Sequence, residues 1–128
     1  MSKDIRADEA SRKEFMDADP DAPFVMVNFL RFKPGGGSKD YGKYGAAFGK
    51  LIRKYGGKFI YNGRVAKRFV GDGEWHAVAL VQYPSRKAFY DLTTCEEYMK
   101  IHPFREDGLE KTLVYATVPV DQTSAGLG

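Results

Sequence analysis

Polar side chains that interrupt apolar runs are the residues of this 128-residue chain best equipped to do chemistry. Asn28 stands in the middle of Phe-Val-Met-Val-Asn-Phe-Leu-Arg-Phe, residues 24–32. Its carboxamide would bond either a ligand lying over that run or a nearby backbone group or tyrosine hydroxyl, because buried polar groups find partners. Arg31 and Arg64 carry planar guanidinium groups that hold a carboxylate through two parallel bonds when buried. At a strand end the same side chains reach solvent instead. His76 follows Trp75 and titrates near neutral pH, which suits a general base as well as a surface position. His102, just before Pro103, carries the same two readings, and for both histidines the surface position is the commoner outcome. Tyr41, Tyr44, Tyr61 and Tyr98 suit an aromatic-friendly pocket or the core, and Tyr61 and Tyr98 fall on elements that face one another. His76 and Asn28 are thus the catalytic candidates, with Asn28, Arg31, Tyr61, Arg64 and Tyr98 as ligand-binding groups.

Other chemistries lack their parts. Two histidines far apart, with no paired carboxylates, make no metal motif. Gly35-Gly36-Gly37 follows a strand but lacks the Lys-Ser/Thr ending of a phosphate loop, so it reads as a flexible turn. Cys95 has no histidine partner and reads as structural. Arg86, in the first turn of a helix, either helps free amides to bind an anion or pairs with a nearby acid. No cofactor is expected.

Composition narrows the class. Hydrophobic residues make up 43% and charged residues 29%, a globular balance rather than a disordered one. The net charge of +3, with both signs mixed along the chain, does not suggest a nucleic-acid partner. A single cysteine excludes an internal disulfide. No apolar run suits a leader or a membrane span, so a cytoplasmic protein with no membrane partner is expected.

The elements that must position these groups follow from periodicity. A short helix is expected over Glu9–Asp17, ended by Pro20 and Pro23. Phe24–Phe32 reads as a strand with Phe24, Met26, Asn28, Leu30 and Phe32 on one face and Val25, Val27, Phe29 and Arg31 on the other. Ser38 is the expected cap of a long helix whose apolar stripe is Tyr41, Tyr44, Phe48, Leu51, Ile52 and Tyr55. Gly42, Gly45 and Gly49 within it suggest tight packing on the sheet or close approach of a ligand. Gly56-Gly57 ends that helix. Lys58–Val70 is expected as a strand bent at Gly63, and Trp75–Tyr83 as its hairpin partner, with Trp75 on the same face as Ala77 and Ala79. A helix capped by Ser85 follows, then one started by a capping box at Thr94–Glu97 and interrupted at Pro103. Thr112–Val118 is the last strand, and Asp121–Gly128 reads as a frayed tail.

Strand, helix, strand, strand, helix, strand is the split βαβ, ferredoxin-like order: an α+β fold with a four-stranded antiparallel sheet and its helices on one face. One domain over residues 1–128 is expected, with its core at about 23–118 and a short helical extension before it. The two central strands are apolar on both faces, yet the helices cover only one. A second copy of the chain is the economical cover, so a homodimer joined through the sheet is expected.

Asn28-Phe29-Leu30-Arg31-Phe32-Lys33, Tyr55-Gly56-Gly57, Tyr83-Pro84-Ser85-Arg86 with Phe89, and Glu97-Tyr98 with Arg105 resemble, in order and spacing over about residues 23–118, the family known as domain of unknown function 1330. That family belongs to the dimeric α+β barrel superfamily, which includes cofactor-free monooxygenases, lactone isomerases and haem enzymes. The resemblance implies the same fold and adds Arg105 to the ligand-binding set. Asn28, Trp75 and His102 also resemble the Asn, Trp and His set of haem-degrading relatives. The expected function is binding of a small aromatic or carboxylated molecule, with cofactor-free oxygenation or isomerisation as its chemistry. The alternative is a non-catalytic dimeric module.

Overall fold

In the computed structural model, which describes residues 8–120, prolines and glycines mark most element boundaries. Helix α1 spans Glu9–Ala18 and strand β1 Phe24–Phe32. Helix α2 spans Gly37–Lys54, β2 Lys58–Arg64 and β3 Ala77–Tyr83. Helices α3, Arg86–Thr94, and α4, Glu96–Gly108, lead into β4, Leu109–Thr117. The sheet order is β2-β3-β1-β4, and every neighbouring pair is antiparallel. This is the ferredoxin-like α+β arrangement, with β1 and β3 central as expected. The tail Asp121–Gly128 lies outside the described residues.

Several local expectations are corrected. Helix α2 starts two residues earlier than a Ser38 cap would place it: Gly36 caps it with φ +112°, and Gly37 is already helical. Strand β2 ends at Arg64, and residues 65–76 form a loop instead of continuing the strand to Val70. The bulge falls at Ile60, not Gly63, because Phe59 pairs with Val81 while Tyr61 pairs with Leu80. Cys95, rather than Thr94, caps α4: its Sγ accepts from the Tyr98 N–H at 3.4 Å, whereas the Thr94 hydroxyl donates back to the Tyr90 carbonyl. Helix α4 runs unbroken through Pro103. Trp75 does not share the face of Ala79: its ring lies 6.0 Å from that of Phe29, on the opposite side of the sheet.

The register assigns every strand residue a face, since directly paired residues share one. On the helix side Phe24, Met26 and Leu30 are buried on β1, and Ala79, Val81 and Tyr83 on β3. Rings crowd one end of this face. Phe24 stacks on Tyr83 at 5.1 Å, and Phe89 and Phe15 meet Phe24 edge-on at 5.7 and 4.9 Å. Toward the other end Leu30, Ala79 and Leu109 form a smaller cluster packed with Phe32 and Tyr41. The far side of the sheet carries Val25, Val27 and Phe29, with Val78, Leu80, Leu113, Tyr115 and Tyr61 opposite them. Among the described residues Trp75 and its loop cover this side only near Phe29, and Tyr61 and Tyr115 are more than half exposed.

The α2–α4 contact depends on glycine. A Cβ on Gly108 would lie 2.6 Å from the Gly37 carbonyl oxygen and 2.7 Å from the Tyr41 nitrogen. By contrast, a Cβ on Gly42 or Gly45 would meet nothing within 4 Å. Of the helix glycines expected to mark tight packing, Gly42 and Gly45 therefore face open space and Gly49 would make only ordinary contact with Phe59 at 3.8 Å; the tight approach lies at Gly37 and Gly108. Gly108→Ala should destabilise the fold by about 1–3 kcal/mol through overpacking against rigid backbone. Gly45→Ala should stabilise it by about 0.5–1 kcal/mol. Urea denaturation of the two variants checks both signs.

Candidate functional site

A cavity of about 290 Å³ lies between the sheet and the helices, at the small end of the ligand-pocket range. Its floor is the middle of the helix-side sheet face, where Asn28, Ala79, Thr112 and Val114 meet. Phe48, Phe59, Phe89 and Tyr83 form apolar walls, and Tyr41, Tyr44 and Tyr98 add hydroxyls. The basic groups come from two helices: Arg12 from α1, and His102 and Arg105 from α4.

Each is placed by its element. Tyr98, His102 and Arg105 recur at i, i+4 and i+7, so one face of an unbroken α4 presents all three inward. All three are buried. Helix α1 is docked by Phe15, whose ring carries the Arg86 guanidinium 4.2 Å above it and whose carbonyl accepts from Arg86 Nη1 at 3.0 Å. Neither expectation for Arg86, anion binding or pairing with an acid, describes this contact. Arg12, three residues before Phe15, thereby reaches the cavity. Its Nη2 donates to Glu9 at 2.9 Å, and Glu9 also accepts from the Tyr90 hydroxyl.

The polar contacts inside are specific. Asn28 Nδ2 donates to the carbonyls of Ala79 at 3.2 Å and Met26 at 3.4 Å. The Tyr44 and Tyr98 hydroxyls are 3.1 Å apart and hydrogen-bonded. His102 Nδ1 lies 3.4 Å from Glu106 Oε1. Burial raises the ionisation of Tyr41 and Tyr83 above its ordinary value near 10, and that of Tyr44 well above it, with the Arg105 charge pulling the other way. These phenols stay neutral at physiological pH.

Of the expected site residues, Asn28, Tyr98 and Arg105 come together in this cavity. Tyr61 does not: the extra residue at Ile60 turns it to the opposite sheet face, where it is 56% exposed. Arg31 also points to that side and lies 3.5 Å from Glu110. Arg64 ends β2 in solvent. His76 is exposed, its Nδ1 accepting from the Phe32 N–H at 3.0 Å and its ring stacked on Phe32. Trp75 is apart from Asn28 and His102, so the haem-type set is not assembled. His102 was expected at the surface and is instead buried beside Tyr98; its spacing from Tyr98 and Arg105 was the available signal, hidden by the break expected at Pro103. Arg12 was missed altogether, and its three-residue offset from Phe15 was the only clue. Among the described residues no group of three His, Cys, Asp or Glu is placed to hold a metal, and no helix is long and apolar enough to cross a membrane.

The fold and the cavity define a ferredoxin-like α+β protein with a sheet-to-helix pocket. Residues 37–118 match the family described as domain of unknown function (DUF1330), and the chain belongs to that family. Similar solved structures include RPA0582 of Rhodopseudomonas palustris, a protein of unknown function: 23% identity, 94% of this chain and 99% of that one covered, TM-score 0.85. A dabb family protein with a ferredoxin-like fold from Mesorhizobium loti gives 14% identity, 77% and 98% coverage and a TM-score of 0.58. Hydroxynitrile lyase from Passiflora edulis gives 15% identity, 80% and 98% coverage and a TM-score of 0.64. These likenesses bear on the fold alone, which is ferredoxin-like. No curated protein matches the chain.

The raised tyrosines set a pH dependence. A phenol whose folded pKa exceeds its unfolded value stabilises the fold below the unfolded value near 10, and that contribution is lost as pH rises through the folded one. Stability should therefore hold up to about pH 10 and fall as pH climbs from about 10 to 12. Tyr44→Phe and Tyr83→Phe should each flatten the decline, measured as urea midpoints across that range.

Proposed function

We propose that this chain binds a small aromatic carboxylate in the sheet-to-helix cavity and works as a homodimer joined through the open sheet faces. One observation carries the ligand reading: two guanidinium groups, Arg105 and the Glu9-paired Arg12, line the cavity among its aromatic rings. Guanidinium is charged at any physiological pH and matches carboxylate geometry. The surrounding rings favour a flat, apolar body. The dimer reading is supported by the apolar sheet face, whose Phe29, Leu80, Leu113 and Tyr115 would otherwise meet water.

Chemistry in this cavity would be cofactor-free and of isomerase or oxygenase type, with Asn28 and Tyr98 as hydrogen-bonding groups. His102 replaces His76 as the proposed proton carrier. Glu106 beside Nδ1 would hold the imidazole tautomer that leaves Nε2 as the basic nitrogen. The second reading is a non-catalytic binding module, favoured by the absence of a nucleophile–base pair among the described lining residues.

Calorimetric titration with benzoate and phenylacetate tests the ligand reading. Arg105→Gln should weaken binding at least about tenfold, whereas Arg31→Gln and Arg64→Gln should leave it unchanged. Binding indifferent to Arg105→Gln would sink the assignment. For the assembly, sedimentation equilibrium should report twice the 14.4 kDa chain mass, and Leu80→Lys should halve it. A wild-type chain that stays single at tens of micromolar counts against the dimer.

A further inference from the structure

We infer that the cavity's ligand carries an O–H or N–H donor as well as its carboxylate, and that Asn28 selects for that donor; the inference rests on the carboxylate reading above. Both hydrogen-bond neighbours of the Asn28 amide are backbone carbonyls, of Ala79 and Met26. The amide cannot be turned over, because Oδ1 would then face two acceptor oxygens. Oδ1 is therefore the end directed away from the sheet backbone, and it accepts no hydrogen bond among the described residues.

The other polar groups of the lining have different capacities. Arg12 and Arg105 only donate. Tyr41, Tyr44 and Tyr83, kept protonated by burial, donate or accept. The hydroxyl protons of Thr93 and Thr112 are given to the carbonyls of Phe89 at 2.9 Å and Phe29 at 2.7 Å. Asn28 Oδ1 can only accept, and no described residue donates to it. A ligand that presents only C–H to this oxygen strips its water and leaves it unsatisfied. A ligand hydroxyl satisfies it. Sites built this way reject the analogue that lacks the hydroxyl far more strongly than apolar pockets reject a change of size. Aromatic walls, two guanidinium groups and the Asn28 acceptor on the floor together describe a hydroxylated aryl carboxylate.

The test compares phenylacetate with its 2-, 3- and 4-hydroxy isomers by calorimetry, on the full-length wild type and on Asn28→Leu. Circular dichroism confirms folding, and Asn28→Ala serves if the leucine variant does not fold. The wild type should bind at least one hydroxy isomer roughly 10- to 100-fold tighter than phenylacetate. The Asn28 variant should bring that ratio near one. Equal wild-type affinity for all four compounds, or a preference that survives both substitutions, overturns the inference and leaves the carboxylate reading standing. No binding of any of the four overturns both.

Discussion

Large rings toward the ends of the helix-side sheet face, with smaller side chains between them, keep the helices off the centre of the sheet. Phe24, Tyr83 and Phe89 fill one end, and Leu30, Phe32 and Leu109 fill toward the other. Between them the floor narrows to Asn28, Ala79 and Thr112. Close-packed interiors do not collapse into such a gap when rigid rings hold its edges apart. The cavity is thus a consequence of side-chain size along two antiparallel strands, and every functional statement depends on it.

What enters the cavity is set by which elements border it. Helix α4 supplies a hydroxyl, an imidazole and a guanidinium from one face, because its backbone continues through Pro103. Helix α1 supplies a second guanidinium and is held by ring contacts of Phe15 and by Arg86 rather than by the sheet ladder. The sheet supplies the amide. Burial keeps the tyrosines neutral, so the formal charges of the described lining, apart from His102, are the two arginines. These are the groups that the proposed aromatic carboxylate would meet.

The two sheet faces answer different demands. One meets helices and cavity; the other is apolar and mostly uncovered among the described residues. The bulge at Ile60 ties them together, because a single extra residue in β2 exchanges the faces of all that follow it. Tyr61 goes to the open side, and Asn62 and Arg64 take the helix-side register. A one-residue slip thereby decides whether a tyrosine stands in a pocket or on an exposed surface.

The sequence by itself determined the order of strands and helices, the bounds of β1, the ring-rich stripe of α2 and the two-faced apolarity of β1. Those features are local: alternation, helical spacing and turn residues each act over a few neighbours. The tertiary structure decided the rest. The continuity of α4 through a proline brought His102 and Arg105 beside Tyr98, and the docking of Phe15 carried Arg12 to the cavity. The position of the bulge placed Tyr61, and the hydrogen bond from the Phe32 N–H fixed His76 outside. Each of these depends on a contact between segments distant in the chain, or on whether a helix with a missing donor is held together by its neighbours, and no local pattern encodes that balance.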